Sequence, residues 1–400
     1  MITAIQKSAT RKRAAARFGR ADPTPVARWF WEIDRVLLLL VTVLISIGLI
    51  AVAAASPAAG VRYSDGAVQF PPLYYFYRQI LWLAVGIPVM IAVSMLPKEM
   101  ARRAGLMGAA LFFVLLCLVP LIGSETNGAT RWIGSGAARL QPSEFLKPFY
   151  VVALAWLLSL RLKDRSLPVL WIAFGVTGLI AGLLMLQPDF GQTVVFGLIF
   201  MALLTLSGVS AKLIGGMVGG GMAAVVMAYL FYPVATLRIN NFLYQDGDTY
   251  QVDKAHSTLT GGGLFGMGPG GGTAKFQLPE PHTDYIFSVI GEEFGLIACL
   301  AIAIIYTAIV VRVMVKLLRE DDQFLLLVSA GLVTQFGAQA LINMAVNVQL
   351  APSKGMTLPF ISYGGSSMVA LSIGMGLLLA FTRRNPYLTR SPYVIKWSGR

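Results

Sequence analysis

Three side chains within five residues could do acid–base work: Glu280, His282 and Asp284, in Leu278-Pro-Glu-Pro-His-Thr-Asp284. They end a polar stretch of some fifty residues, from about Pro233 to Tyr285, and lie directly against an apolar run. A carboxylate held where a polar loop meets an apolar helix is costly to place and usually functional. Asp284 is therefore the candidate catalytic group, with Glu280 and His282 beside it. Thr283 or Asp284 could also cap a helix that begins with Tyr285. Glu292 and Glu293 lie two turns further on, about 12 Å deeper on a helix. They are expected to be structural and to pair with Gln339 or Asn343.

The second set is basic. Arg131 sits in Gly128-Ala-Thr-Arg-Trp132, Arg139 precedes Gln141-Pro-Ser-Glu144, and Lys147 follows one turn later. Lys275 and Lys354 flank other polar segments, as does Arg238. Interfacial anchors that snorkel to headgroups are the plain alternative. A lipid diphosphate wants arginine forks and lysine point charges, so Arg131, Lys147, Lys275 and Lys354 form the expected anion-binding set. Glu144, His282 and Ser362 are assigned to the substrate with them. Ser143 is expected to cap a helix, and Glu144 and Lys147, three apart, to pair on one face. Asp189 reads as a helix cap or a balance for an outer arginine. The run from Gly261 to Gly272 has no Gly-Lys-Ser/Thr ending and no preceding strand, so it is not a nucleotide loop.

The elements that carry these residues are apolar. The 400 residues are 56% hydrophobic and 13% charged, with a mean hydropathy of +0.70. A soluble domain carries about 25% charged residues. The pattern predicts an all-α polytopic membrane protein with about ten transmembrane helices, near 36–56, 74–95, 104–123, 144–160, 168–186, 190–208, 212–233, 285–311, 324–348 and 362–382. Residues 1–35 form a basic tail, 36–382 the membrane domain, and 383–400 a second tail. The net charge of +13 could point to nucleic acid. Its distribution excludes that reading, because 23 of the 32 lysines and arginines fall in the tails and in loops on the side of the termini. The positive-inside rule then makes both termini cytoplasmic and the 234–285 loop, between helices 7 and 8, extracytoplasmic. The apolar run after the basic tail fills a whole bilayer and is expected to stay as an anchor, not to be cleaved. Cys117 and Cys299 lie in apolar runs and read as packing residues, and two histidines, His256 and His282, argue against a His-built zinc site.

These pieces coincide with a known set. The chain resembles the SEDS family (shape, elongation, division and sporulation) of polytopic glycosyltransferases over nearly its whole length. The matching segments include Gly128-Ala-Thr-Arg-Trp132, Gln141-Pro-Ser-Glu144 with Lys147, Gln187-Pro-Asp-Phe-Gly191, Tyr250-Gln251, Gly262-Gly-Leu-Phe-Gly266, Leu278 to Asp284, Gly291-Glu-Glu-Phe-Gly295 and Leu358 to Ser367. The long basic tail and Pro352-Ser-Lys-Gly-Met-Thr357 are closer to division-type than to elongation-type members. Tyr285 and Pro281 depart from the residues commoner there. The resemblance implies polymerisation of lipid II, an undecaprenyl-diphosphate disaccharide-pentapeptide, into β-1,4 glycan strands outside the bacterial cytoplasmic (inner) membrane, at the division septum. Asp284 would be the general base and the basic set would stabilise the leaving diphosphate. A divalent cation, Mg2+ or Mn2+, could share that work, although no metal-ligand cluster is legible. The resemblance also implies membrane-lipid contact, a class B penicillin-binding transpeptidase and divisome activator proteins as partners. A lipid II flippase is the main alternative, disfavoured by polar chemistry gathered on one face and by the lack of an inverted repeat. A scaffold that only recruits a partner enzyme is a third.

Overall fold

The computed structural model describes residues 24–64, 69–126, 129–134, 139–164, 166–244, 250–352 and 355–384. A short helix α1 (Pro25–Glu32) precedes α2 (Arg35–Tyr63), α3 (Tyr74–Met95) and α4 (Lys98–Ile122). A hairpin of β1 (Ser124–Thr126) and β2 (Ala129–Trp132) leads to α5 (Pro142–Lys163), α6 (Val169–Leu186), α7 (Phe190–Leu206) and α8 (Ala211–Phe231). Then come α9 (Pro233–Tyr244), α10 (Tyr250–Gly261) and a 3-10 turn (Ala274–Gln277). Long helices α11 (Ile286–Leu317) and α12 (Gln323–Asn347) and a last helix α13 (Ser366–Phe381) complete the chain. This is an all-α polytopic membrane architecture. Among the described residues, eight helices are long and apolar enough to cross a membrane. Helices α7 and α13, with 17 and 16 residues, rise about 24–26 Å, short of a hydrocarbon core of about 30 Å.

The expected spans match helices, and their ends differ where packing continues. Helix α2 runs on past residue 56 through Pro57, because Ala58, Ala59 and Gly60 are buried there. Inside the expected 234–285 loop the chain forms α9, α10 and the 3-10 turn. Helix α5 begins at Pro142 with Gln141 as its N-cap residue, not Ser143; a proline needs no donor at that first position. Helix α11 begins at Ile286, and neither Thr283 nor Asp284 caps it. Asp189 does cap α7, accepting from the Gln192 amide at 3.2 Å.

Helices α5 and α12 lie at the centre, with most of their membrane windows buried. Helix α8 buries no side chain. At one end of the bundle, Asp34 caps α2 through the Val36 and Leu37 amides, both at 3.1 Å. It also pairs with Lys316 at 2.6 Å and Arg312 at 3.1 Å. Burial alone would raise its pKa, but Arg312, Lys316 and the Leu37 amide hold it below the usual carboxylate value. Arg383 donates to Leu96 O at 2.6 Å and Arg384 pairs with Glu320 at 3.1 Å, so α2, α3, α11 and α13 share this end.

Towards the other end, α11 is broken at Gly295, whose φ of 79° and ψ of 177° suit glycine almost alone. The glycine segment after α10 fills the break. Leu296 N and Ile297 N donate to Gly263 O and Leu264 O at 3.0 and 3.3 Å. Met267 N and Gly268 N donate to Glu292 O and Glu293 O at 2.9 and 3.0 Å. The glycines permit backbone-to-backbone approach, since a Cβ on Gly266 would lie 2.2 Å from Glu293 O. A Cβ on Gly295 would lie 2.4 Å from Leu264 O. Gly295→Ala should therefore cost about 3 kcal/mol and free the segment. A lower melting temperature with new protease cleavage between residues 262 and 277 would show this; a variant as protease-resistant as the wild type would contradict it.

Candidate active site

Asp284 reaches its place through its backbone. Helix α12 carries Gln335, Gln339, Asn343 and Asn347, four residues apart and all buried, so they form one polar stripe. Asn343 Nδ2 donates to the main-chain oxygen of Asp284 at 2.9 Å and to Met356 O at 2.6 Å. Asn347 Nδ2 donates to the same Asp284 oxygen at 3.2 Å. Ser362 Oγ donates to Thr283 O at 2.6 Å and accepts from Leu358 N at 2.7 Å. Tyr363 N donates to His282 O at 2.9 Å. The 278–285 turn and the 356–363 loop are thus tied to each other and to α12.

The carboxylate itself meets no donor among the described residues. It is half-buried on the wall of a cavity of about 610 Å3. Burial, and then the charge of Glu280, push its pKa up to about 7. Glu280 lines the same cavity with its oxygens taken: Tyr63 Oη donates to Oε1 at 2.5 Å and Thr283 Oγ1 to Oε2 at 2.7 Å. Its φ of 50° is a left-handed conformation in a non-glycine residue.

His282 does not line the cavity. Its ring packs among Tyr75, Tyr363 and Tyr63 at centroid distances of 4.0, 5.4 and 5.9 Å. Burial pushes its pKa down to about 4, so it is neutral at pH 7. It works as a wedge that shapes the turn. Ser362 is likewise a buried staple.

The opposite wall comes from β2, α5 and α7. Arg131 lines it and spends donors on Gln187 O (3.1 Å) and Pro188 O, with Asp189 4.0 Å away. Arg139, Gln141, Asp189 and Gln192 are also on the wall. Glu144 lines the cavity and pairs with Lys147 at 2.8 Å, as the three-residue spacing predicts, and accepts from Gln192 Nε2. Lys147 is wholly buried behind it and donates to Gln339 Oε1 at 3.0 Å. Gln339 Nε2 in turn donates to Thr357 O at 3.1 Å, linking this wall to the loop beside Asp284.

Lys275 lies elsewhere. It is buried against Glu293 and donates to Ala54 O at 3.0 Å. Glu292 accepts from the Ala274 and Lys275 amides at 2.7 and 3.0 Å. So Lys275 does not face the cavity, and the two glutamates pair with this turn, not with Gln339 or Asn343. Lys354 lies outside the described residues. Arg78, absent from the expected set, lines the cavity. Its signal was a single charge one turn into the apolar run Tyr74-Tyr-Phe-Tyr-Arg78, four residues before Trp82. Among the described residues, no three His, Cys, Asp or Glu side chains are grouped to hold a metal ion.

Residues 34–387 match the family of cell cycle proteins that groups FtsW, RodA and SpoVE. A probable peptidoglycan glycosyltransferase FtsW of Caulobacter vibrioides (strain NA1000 / CB15N) is 38% identical over 376 residues, covering 93% of this chain and 95% of the relative. The protein of that name from Alkalilimnicola ehrlichii is 36% identical over 366 residues, covering 87% and 89%. Among solved structures, a chain of a peptidoglycan synthase complex, determined to explain how polymerization and crosslinking are coordinated, superposes with a TM-score of 0.70 at 26% identity. It covers 88% of this chain and 97% of that one. Thermus thermophilus RodA, a rod shape determining protein, gives a TM-score of 0.62 at 25% identity, covering 88% and 96%. With nine-tenths of its length matched and the same helical architecture, the chain belongs to the FtsW/RodA/SpoVE family of cell cycle proteins.

Proposed function

We propose that the chain is a peptidoglycan glycosyltransferase that polymerises lipid II at the outer face of the cytoplasmic membrane, with Asp284 as its general base. One observation carries this: a carboxylate that meets no donor among the described residues, on the wall of a large cavity, where burial and Glu280 push its pKa up to about 7. A base is most effective with a pKa near the working pH. Asp284 takes the proton from the 4-hydroxyl of the acceptor sugar as that oxygen attacks the anomeric carbon of the donor. The bond from that carbon to the diphosphate oxygen breaks, and the diphosphate leaves with the electron pair. Attack from the opposite face inverts the centre, so an α-linked diphosphate yields a β-1,4 link. Arg131 on the opposite wall faces the departing charge, while the buried Lys147 is balanced by Glu144, which lines that wall.

The remaining assignments rest on coarser support. The excess of basic residues at the ends of the chain supports cytoplasmic termini and an outward-facing cavity. Two short apolar helices beside the eight longer ones support ten spans. Relatives named FtsW support a role in septal wall synthesis. The resemblance to a complex that joins polymerization to crosslinking supports a transpeptidase partner.

The same carboxylate burdens the fold. Its native pKa lies above the ordinary 3.8, so the folded state binds this proton more tightly than the unfolded chain does. The charge then destabilises the fold most above pH 7, less as pH falls through 7, and not at all below about 4. Asp284→Asn should raise the melting temperature by about 5 °C at pH 8, a gain that shrinks towards pH 4. Equal melting of both proteins at pH 8 would contradict the buried charge. In a lipid II polymerisation assay with the transpeptidase partner present, Asp284→Ala and Asp284→Asn should each slow synthesis by about 10^2 to 10^4, while expression and partner binding persist. An Asp284→Asn protein that polymerises at the wild-type rate would end the general-base assignment.

A further inference from the structure

A third wall of the cavity is built by α3 and the start of α13, and several of its donors meet no acceptor among the described residues. Arg78 and Trp82, four residues apart on α3, share one face and both line the cavity. Arg78 donates to Tyr74 Oη at 3.1 Å, and no carboxylate among the described residues lies within ion-pair distance of it. Gly364, Gly365, Ser366 and Ser367 line the same cavity. Gly365 is the N-cap residue of α13, with φ of 52° and no side-chain cap. The amides of Ser367 and Met368 turn back to Gly364 O and Gly365 O at 2.9 and 3.1 Å. Those of Gly364, Gly365 and Ser366 meet no acceptor among the described residues. The Ser366 hydroxyl is also without a partner, on a residue only 7% exposed.

Three successive unpaired amides at the positive end of a helix make an anion cradle. A buried hydroxyl and an arginine with no counter-charge add further donors. Together they exceed what one carboxylate accepts and suit a phosphate group. Arg131 is less available, because its donors already serve Gln187 O and Pro188 O. We propose that Arg78 and the Gly364–Ser366 amides bind one phosphate of a lipid-linked diphosphate. This rests on the glycosyl-transfer reading, which brings such a lipid to the cavity. The cradle lies where two membrane helices reach the cavity, so its phosphate arrives on a lipid, not as free solute.

The test uses the full chain in nanodiscs and two probes, sugar-free undecaprenyl diphosphate and inorganic pyrophosphate. Arg78→Ala should weaken binding of the lipid diphosphate about tenfold, with Arg78→Lys in between and a smaller loss in Ser366→Ala. Pyrophosphate should compete weakly with wild type and less with Arg78→Ala. Wild-type affinity in both Arg78→Ala and Ser366→Ala would overturn the site, and equal affinity for the two probes would overturn its lipid assignment. If Arg78→Ala fails to fold, the graded loss in Arg78→Lys and Ser366→Ala decides. The two proposals fail separately. A wild type that binds the lipid diphosphate through Arg78 but makes no polymer refutes the polymerase reading alone. A polymerising wild type whose KM is unchanged by Arg78→Ala refutes the phosphate site alone.

Discussion

Asn343 and Asn347, one turn apart on α12, both donate to the main-chain oxygen of Asp284, and the site depends on that double contact. An amide on a buried membrane helix must find a partner, since an unpaired polar group there costs several kcal/mol. An irregular turn entering the bundle has the complementary problem, with carbonyls that lack donors. Each satisfies the other. The turn is therefore held by its backbone, and the carboxylate stays free for a proton. Had a donor held the side chain instead, the pKa would fall and the base would weaken.

The buried charges divide by the same logic. Lys275 with Glu293, and Lys147 with Glu144, are paired within the protein, because a lone charge at that depth is prohibitive. Their roles differ by position. The first pair clips the glycine segment into the break of α11. The second has Glu144 on a cavity wall with Lys147 behind it, and Lys147 reaches the loop beside Asp284 through Gln339 and Thr357. Asp284 meets no cation among the described residues, and burial, then the charge of Glu280, raises its pKa.

What could be read in the sequence was mostly local. Apolar runs located the helices, because a bilayer sets their length. Asp189 as a cap and Glu144 with Lys147 depend on contacts three residues apart, which helical geometry fixes in advance. Asp284 stood out because a charge at a polar–apolar border is rare. The misreadings involve distant contacts. Lys275 carries the charge a diphosphate needs, but the break at Gly295 brings Glu293 to it across 18 residues. Ser143 looked like a cap until Pro142 took the first helical position. Arg78 went unassigned because only the approach of α13 to α3 turns it towards the cavity.

The central claim is that burial and a nearby carboxylate hold Asp284 near neutrality. The most direct measurement is a 13C NMR titration of aspartate carboxyl carbons in the protein in nanodiscs, with the signal of Asp284 identified by its loss in Asp284→Asn. The account predicts a midpoint near pH 7, well separated from the exposed aspartates. A midpoint near 4 would mean that the carboxylate is solvated or hydrogen-bonded, and would contradict the account.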